Sequence, residues 1–361
     1  MKRIRVLVVD DSVVIRRMLR EALSEDPLIE VVGVAANGKI GLSMVEQLSP
    51  DLVTLDIEMP EMDGLDVLRQ LRVRQPALPV VMFSTLTQRG AVATLDALAL
   101  GARDYVAKPA NVDGITAGLQ RIREDLTPKI KALCGYKEAI VADLLEKKSC
   151  TVGRSTVRSG PIEVVAIGCS TGGPNALAEV LPKLAEDLPV PVIIVQHMPP
   201  TFTRFLAERL NASCALEVRE AEADQVLEAG EIWIAPGDFH VAVQANGTKV
   251  HLRTNQSPRE NSCRPSVDVL FRTVARVYGN RALAVILTGM GQDGLRGTEE
   301  LKSAGAFVVA QDEESSVVWG MPGFVVQAGL ADRVVPLANV AQEITKRVAA
   351  GRQAFTHRLG A

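Results

Sequence analysis

The first third of the chain alternates short apolar runs with amphipathic segments. Five apolar runs, IRVLVVD, IEVVGVA, DLVTLDI, LPVVMFS and DYVAKP, have the length and β-branched content of buried strands. The segments between them, VVIRRMLREALSED, GKIGLSMVEQL, GLDVLRQLRVR and GAVATLDALALG, carry apolar residues at helical spacing. This alternation predicts an α/β domain with a doubly wound parallel sheet over residues 1–125.

The same alternation resumes after about residue 160. The runs VVAIG, VPVIIVQH, ALEVREA, EIWIAPGDFHVAV, KVHLRT, ALAVILTGM and AFVVAQD are separated by helical segments such as TFTRFLAERLN, SVDVLFRTVARVYG and LRGTEELKSAG. They predict a second α/β domain of mainly parallel strands over 161–347, followed by a tail at 348–361. Between the domains, Thr127-Pro128 is expected to end the last helix of the first domain. Residues 126–160 then form a linker with one amphipathic stretch and a small, polar remainder.

In the first domain, carboxylates, a hydroxyl and a lysine stand at the ends of the apolar runs, and these groups suit phosphoryl chemistry. In a doubly wound sheet, ligands bind beyond the carboxyl ends of the strands. Carboxylates clustered there suit Mg²⁺, and a further carboxylate beside a lysine can act as a nucleophile towards a phosphoryl group. Taken singly, Asp11-Ser12 is better explained as a helix N-cap and Lys108-Pro109 as a solvated loop, but the whole set favours a site. Its members are Asp10, Asp11, Asp56, Ser84 and Lys108.

In the second domain, the stretch VVAIGCSTGGP from Val164 to Pro174 changes abruptly from strand to glycine turn to helix. Ser170 would stand at the strand end and before a helix, where free N–H groups stabilise negative charge. The small residues around it fit a nucleophile elbow. A dinucleotide fingerprint is the weaker alternative, because the next strand ends in Gln196-His197 rather than in an acidic residue. Helix capping by Ser170 or Thr171 stays open from this fragment alone.

A serine nucleophile needs a base, and the chain has four histidines. His197 ends the strand that follows the serine's strand, and consecutive parallel strands usually lie side by side. His357 is in a polar tail, and His251 is a strand residue, while His240 stays possible. We therefore expect His197 to be the base.

The candidate for the orienting carboxylate is Asp293, in the glycine-rich loop LTGMGQDG after a buried strand. Asp268 and Asp312 are the alternatives. The chain order serine, histidine, aspartate differs from that of α/β-hydrolases, but geometry rather than order defines a triad. Cys169 is a rival nucleophile, but neighbouring strand residues point to opposite faces, so we expect it to face the core.

Residues 1–125 resemble the receiver domains of two-component response regulators, through VVDDS, LDIEMPEMDG and YVAKP. The resemblance implies a flavodoxin-like fold in which Asp56 accepts a phosphoryl group from a chemotaxis histidine kinase. It also implies which residues bind the metal ion and which residues sense the phosphoryl group. Asp10, Asp11, Asp56 and the backbone of Glu58 would hold Mg²⁺, while Ser84, Tyr105 and Lys108 would sense the phosphoryl oxygens.

The chain from about Val164 to Leu337 resembles the chemotaxis protein-glutamate methylesterases, through GCSTGGP, QHMPPTFT, APGDFH, RPSVDVLF, LTGMGQDG and QDEESSVVWGMPG. The resemblance implies a Rossmann-like serine hydrolase that acts, without a cofactor, on glutamate γ-methyl esters of chemoreceptors and releases methanol. Deamidation of glutamine is the implied second activity. By this resemblance, Ser170 is the nucleophile, His197 is the general base and acid, and Asp293 fixes the tautomer of His197. The backbone N–H groups of Thr171 and Met290 are the implied oxyanion donors.

Composition restricts the remaining classes of function. A formal net charge of −3 gives no electrostatic sign of nucleic-acid binding. A phosphorylation-gated DNA-binding regulator would also need a basic recognition helix in the second domain, and the sequence shows none. No apolar run approaches the roughly 20 residues of a membrane span, and MKRIRVLVVDD turns acidic too soon for a signal peptide. The five cysteines form no CxxC pair, so we expect a cytoplasmic protein with reduced thiols.

Overall fold

The computed structural model describes residues 2–109, 114–135 and 161–359. The chain divides into two compact units, residues 1–149 and 150–361. Most of the predicted linker, residues 136–160, and most of its amphipathic stretch lie outside the described residues.

Among its described residues, the first unit has the predicted doubly wound sheet. All strand pairs are parallel, and the strand order is β2-β1-β3-β4-β5. The strands are β1 (Ile4–Val9), β2 (Ile29–Ala35), β3 (Leu52–Asp56), β4 (Val80–Ser84) and β5 (Asp104–Ala107). The helices are α1 (Val13–Ser24), α2 (Gly38–Leu48), α3 (Gly64–Arg74), α4 (Gln88–Ala99) and α5 (Gly114–Leu133).

The last helix of this unit does not end at Thr127-Pro128, so that prediction is wrong. The α5 helix continues through Pro128 to Leu133. Proline removes one backbone hydrogen bond, but the residues beyond it make other interactions that offset the loss. Ile130 is fully buried in the core that α1 and α5 form with the sheet, and Lys129 forms an ion pair with Asp104 at 2.9 Å. Tertiary packing therefore overrides the local helix-breaking signal.

The second unit is built around a seven-stranded parallel sheet of order β14-β13-β12-β6-β7-β9-β8, with β10 and β11 in a separate antiparallel hairpin. Its strands are β6 (Val164–Cys169), β7 (Val192–Gln196), β8 (Glu217–Glu220), β9 (Glu231–Ile234), β10 (His240–Asn246), β11 (Lys249–Asn255), β12 (Ala282–Ile286), β13 (Phe307–Gln311) and β14 (Arg333–Val335). Its helices are α6 (Gly173–Val180), α7 (Phe202–Asn211), α8 (Val267–Tyr278), α9 (Leu295–Ser303), α10 (Met321–Gln327) and α11 (Leu337–Leu359).

Three details of this unit differ from the sequence pattern. The run EIWIAPGDFHVAV is not one strand, because Pro236-Gly237 and Asp238, whose φ is +63°, turn the chain out of the sheet between β9 and β10. The α10 helix and the three-residue β14 were not predicted. The boundary expected at 347/348 falls inside α11, which is continuous there.

The strand order places β6 at the centre of this sheet, between β7 on one side and β12 on the other. The chain leaves β6 towards β7 and returns much later as β12, so β6 is the topological switch point. All residues of these three strands are buried. The loops after β6, β7 and β12 consequently meet at one edge of the sheet.

Candidate active site and phosphoryl-acceptor site

Strand register sets Ser170 and His197 side by side. Cys169 and Gln196, the last residues of β6 and β7, are partners in the parallel ladder. The N–H of His197 donates to the carbonyl of Cys169 at 3.3 Å, which extends the ladder beyond the strand ends. The expectation that these two strands are neighbours is therefore confirmed, and each candidate residue is the first after its strand.

Close packing explains the glycines around Ser170. A Cβ on Gly173 would lie 1.8 Å from Oε1 of Gln196, and one on Gly289 would lie 2.9 Å from Cβ of Ser170. Neither Ser170 nor Thr171 caps α6, since the N-cap is Gly172 and no side chain bonds that helix end. The helix-capping alternative is therefore wrong. Cys169 is fully buried as predicted, and its Sγ lies 3.7 Å from the carbonyl oxygen of Val195.

His197 is held by Asp293. Nε2 of His197 lies 2.8 Å from Oδ2 of the buried carboxylate. The other partners of Asp293 are also donors: the N–H of Val267 to Oδ2, and the Ser266 hydroxyl, the Asn261 amide and the N–H of Asp268 to Oδ1, at 2.6–3.2 Å. Because every partner donates, the site requires a group that only accepts hydrogen bonds.

The electrostatics of this pair follow from its surroundings. Burial works to raise the pKa of Asp293, but the hydrogen bond and charge of His197, with the Val267 and Ser266 donors, lower it to about 2. The N–H groups of Val267 and Asp268, which both donate to Asp293, are at the start of α8, where the helix dipole favours an anion. Burial alone would lower the pKa of His197, but Cys263 and Asp293 raise it.

The alternative residues have structural partners instead. Nδ1 of the buried His240 accepts from the N–H of Ser266 at 3.2 Å, and its Nε2 donates to the carbonyl of Pro258 at 3.1 Å. His251 lies in β11, with Nδ1 3.3 Å from the carbonyl oxygen of Asp224. The side chain of His357 lies outside the described residues. These contacts leave His197 as the described histidine placed beside Ser170.

The two alternative carboxylates also have other partners. Asp268 accepts from the N–H of Gly297 at 2.6 Å and shares the Asn261 amide with Asp293. Burial and then the charge of Asp293 raise the pKa of Asp268 to about 6. Asp312 caps a loop by accepting from the backbone and hydroxyl of Ser315.

Three further residues that the sequence pattern did not single out lie at the site. Gln196 donates from Nε2 to the carbonyl of Ser170 at 3.0 Å, and Thr288 donates from its hydroxyl to the carbonyl of Thr171 at 2.9 Å. Cys263 brings its Sγ to 3.6 Å from Nδ1 of His197. The signal for Gln196 was its place before His197 at a buried strand end. Nothing in the sequence pattern pointed to Cys263.

In the first unit, the predicted strand-end groups come together. Lys108 Nζ lies 2.8 Å from Asp56 Oδ2 and 3.0 Å from Asp10 Oδ2, and both carboxylates are buried. Lys108 is therefore not a solvated loop residue, while Ser12 does cap α1 by accepting from the N–H of Ile15. Oxygens of Asp10, Asp11 and Asp56 lie within 4.8 Å of one another. This hard-oxygen set fits Mg²⁺.

The sensing residues lie on the two following strands. The Ser84 hydroxyl, at the end of β4, donates to the carbonyl of Gly90 at 3.2 Å. Tyr105, on β5, is buried, and the Lys129 ammonium lies 5.3 Å from its ring centroid. The N–H of Glu58 donates to Asp56 Oδ1 at 3.2 Å, so its carbonyl belongs to the loop beside the carboxylate cluster.

Burial and then the charge of Asp10 raise the pKa of Asp56 to about 6, against Lys108, which lowers it. A carboxyl with a raised folded-state pKa stabilises the fold below its unfolded pKa, and this contribution is lost as pH rises towards 6. We therefore expect Asp56→Asn to stabilise the metal-free protein at pH 7 by about 1–3 kcal/mol. Calorimetry should show a gain of several degrees at pH 7 that disappears near pH 4. A variant less stable than the parent at pH 7 would contradict this electrostatic account.

Comparisons with known proteins identify the family of each unit. Residues 165–344 match the CheB methylesterase family, and residues 6–120 match the response regulator receiver domain. Relatives named protein-glutamate methylesterase/protein-glutamine glutaminase include one from Trichodesmium erythraeum, 50% identical over 351 residues that cover 96% of this chain and 100% of that protein. Another, from Nocardioides sp., is 50% identical over 357 residues that cover 98% of this chain and 97% of that protein. The chain belongs to the CheB methylesterase family.

A solved structure supports the fold of the catalytic unit. The CheB methylesterase catalytic domain of Thermotoga maritima is 42% identical to this chain, with a TM-score of 0.51, over 51% of this chain and 98% of that one. This CheB-family chain is therefore a hydrolase that carries a receiver domain. Within its described part, no helix is both long and apolar enough to cross a membrane.

Proposed function

We propose that this protein hydrolyses glutamate γ-methyl esters on chemoreceptors, releasing methanol, and that phosphorylation of Asp56 regulates the reaction. The observation that carries the proposal is the buried Asp293 bonded at 2.8 Å to His197, which stands beside Ser170 at the switch point of the sheet. A serine, a histidine and an aspartate in this arrangement form the catalytic triad of serine hydrolases. The relatives' names supply the substrate class.

The tautomer of His197 decides which nitrogen acts. Nε2 donates its proton to Asp293, so Nδ1 carries the lone pair. In the proposed mechanism, Nδ1 takes the proton of Ser170 as Oγ attacks the ester carbonyl, and it returns that proton to the leaving methoxide. A water activated in the same way then releases glutamate from the acyl-enzyme. Asp293 stays charged throughout, as its lowered pKa requires.

The oxyanion that forms on the carbonyl needs donors, for which we propose the N–H groups of Thr171 and Met290. The carbonyl of Ser170 accepts from Gln196 Nε2 and from the N–H of Gly173, at 3.0 and 2.8 Å. In a trans peptide the C=O and N–H point in opposite directions, so these bonds aim the N–H of Thr171 away from Gln196. Met290 follows Gly289, whose backbone lies against Ser170.

Gln196→Leu should lower kcat by about 10- to 100-fold and change KM little, because it loosens an oxyanion donor that acts in the transition state. Steady-state kinetics on one ester substrate separates the two constants. Gln256→Leu is the matched control, since Gln256 is an exposed glutamine that bonds Asp238. A rise in KM with kcat unchanged would assign Gln196 to substrate binding instead.

In the first unit, we propose that Asp56 accepts a phosphoryl group from a chemotaxis histidine kinase. Asp10, Asp11, Asp56 and the backbone of Glu58 would hold Mg²⁺, which offsets negative charge on the phosphoryl oxygens. Lys108 already contacts Asp56 and would pair with the phosphoryl group once it is attached. Ser84 and Tyr105 lie on the next two strands and are the proposed sensing residues.

Methylated receptor fragments test this proposal. The purified protein should release methanol from them, with a matching loss of methyl groups by mass spectrometry. A small phosphodonor with Mg²⁺ should change the rate for the parent but leave Asp56→Asn at its starting rate. If no methyl group is lost, the proposed substrate is wrong. If Asp56→Asn responds like the parent, the proposed regulatory site is wrong.

Deamidation of receptor glutamines is the second proposed activity. An amide carbonyl can form the same acyl-enzyme, with ammonia in place of methanol as leaving group, and the relatives' names include protein-glutamine glutaminase. Receptor fragments that carry glutamine at the modified positions should gain glutamate only when Ser170 is intact. The cysteines described as free, Cys134, Cys169, Cys214 and Cys263, support a reducing, cytoplasmic setting as part of this proposal.

A further inference from the structure

A thiol stands at the nitrogen that the mechanism uses as the base. Cys263 Sγ lies 3.6 Å from Nδ1 of His197, while Nε2 of the same ring is bonded to Asp293. The thiol, the imidazole and the carboxylate all offer atoms within 4.8 Å of one another. This spatial order of thiol, imidazole and carboxylate is the one that activates a cysteine nucleophile, because the imidazole takes the thiol proton and the carboxylate orients the imidazole. The proposed mechanism of ester hydrolysis gives Cys263 no step.

The contact with His197 gives the proton of the Cys263 thiol a nearby acceptor. A thiol that can pass its proton to a neighbouring imidazole forms a thiolate–imidazolium pair, which is the reactive form of cysteine. Asp293 stabilises the imidazolium from the far side of the ring, and the interaction with Cys263 is among the causes that raise the pKa of His197. Cys263 is half-buried, so small reagents have access to it.

We propose that Cys263 is a reactive thiol, and that its modification by soft electrophiles, including hydroperoxides, switches the hydrolase off. This inference deepens the proposed function, because the inhibition rests on His197 being the base of the ester reaction. The modification itself requires only the contact between the thiol and the imidazole.

A hydroperoxide oxidises the Cys263 thiol by two electrons. The S–H proton of Cys263 moves to Nδ1 of His197, and the thiolate sulfur attacks the distal oxygen of the peroxide. The S–O bond forms as the O–O bond breaks, so sulfur is oxidised by two electrons and the peroxide is reduced to an alkoxide or hydroxide. That leaving group takes the proton from His197, which gives a sulfenic acid and an alcohol or water.

The product explains the loss of ester hydrolysis. A sulfenic acid or an alkylated sulfur is larger than a thiol and would occupy the space beside Nδ1, where the proton of Ser170 has to arrive. Oxidation to the sulfenic acid is reversible by thiols, whereas alkylation is not. The site would therefore respond to oxidants by pausing the hydrolase until a thiol reductant restores it.

The other described cysteines serve as internal controls. Burial raises the pKa of the Cys134 thiol to about 11, and it raises the pKa of the half-buried Cys214 and the fully buried Cys169 as well. The partner of the Cys134 thiol is the backbone carbonyl of Asp51, at 3.9 Å, and that of Cys169 is the carbonyl of Val195. Cys214 matches Cys263 in partial exposure and lacks its histidine contact.

The first test measures labelling, and it does not depend on ester hydrolysis. The full-length protein is treated with limiting iodoacetamide at pH 7, and mass spectrometry follows each cysteine. We expect Cys263 to react on the order of tenfold faster than Cys214, and His197→Ala to remove that advantage. Equal rates at the two cysteines, or a Cys263 rate unchanged by His197→Ala, would overturn the proposal even if the ester activity is as proposed.

The second test follows activity. Hydrogen peroxide should remove most of the parent's esterase activity, and dithiothreitol should restore it. Cys263→Ser should keep a fraction of its own activity after peroxide that is at least tenfold higher than the fraction the parent keeps. If the serine variant folds poorly, Cys263→Ala replaces it, with the same expected result. Cys214→Ser should lose activity like the parent. Inactivation of the Cys263 variants at the parent's rate, or fast labelling of Cys263 without loss of esterase activity, would refute the switch.

Discussion

Ser170→Ala is expected to lower kcat for ester hydrolysis by about 10⁴-fold or more. The hydroxyl is the proposed nucleophile, and residual turnover would come only from binding and the oxyanion donors. Release of methanol from a methylated receptor fragment measures the loss. Circular dichroism and the melting temperature should stay close to those of the parent, because removing one hydroxyl from a half-buried turn leaves the sheet unchanged.

The matched control for this variant is Ser213→Ala. Ser213 follows α7, and its hydroxyl donates to the carbonyl of Leu210 at 3.0 Å, away from the strand ends that form the site. Its kcat should match that of the parent within about twofold. Turnover near the parent level in a folded Ser170→Ala protein would remove Ser170 from the mechanism. Cys263, whose Sγ lies 3.6 Å from Nδ1 of His197, would then be the next nucleophile to test.

Asp293→Asn should lower kcat by about 10³- to 10⁴-fold and also destabilise the protein. The first effect arises because an amide cannot hold the tautomer and the charge of His197 as a carboxylate does. The second arises because each carboxylate oxygen accepts a hydrogen bond from a backbone N–H, Oδ2 from Val267 and Oδ1 from Asp268. Whichever way the amide is oriented, its NH₂ group faces an N–H group and leaves it unpaired, at about 1–3 kcal/mol.

Calorimetry of the full chain should therefore show the catalytic unit of Asp293→Asn melting several degrees lower than in the parent. Asp312→Asn is the control, since Asp312 was another candidate carboxylate, and its side chain accepts from the backbone and hydroxyl of Ser315 in its own loop. It should retain nearly full activity. If Asp293→Asn were as active as the parent, the contact with His197 would be structural rather than catalytic.

The sequence predicted those parts of both sites that strand topology fixes. Asp10, Asp56 and Lys108 meet because the carboxyl ends of the parallel strands of one sheet lie at the same edge. Ser170 and His197 meet at such an edge after two adjacent strands. Apolar runs and amphipathic spacing are local signals, so they reveal this arrangement without knowledge of long-range contacts. The roles assigned to these residues remain proposals that the variants above test.

The parts that sequence reasoning missed depend on irregular backbone. Asn261 and Cys263 lie in a segment without periodicity, where Asn261 and Ser262 have φ values of +51° and +63°. This loop path brings the side chain of Asn261 to Asp293 and that of Cys263 to His197. Similarly, the helix-breaking signal of Pro128 was outweighed by burial of Ile130, which is a tertiary effect that a local pattern does not contain.

The central place of β6 has a consequence for the order of folding. The β6–α6–β7 unit is contiguous in the chain, so it can bring Ser170 and His197 together early, at a small loop-closure cost. Asp293 and Gly289 follow β12, which pairs with β6 from far along the chain, with Ala282 opposite Val164. Such non-local pairing forms slowly. Recovery of esterase activity during refolding should thus lag behind recovery of secondary structure, and report closure of the β6–β12 pair.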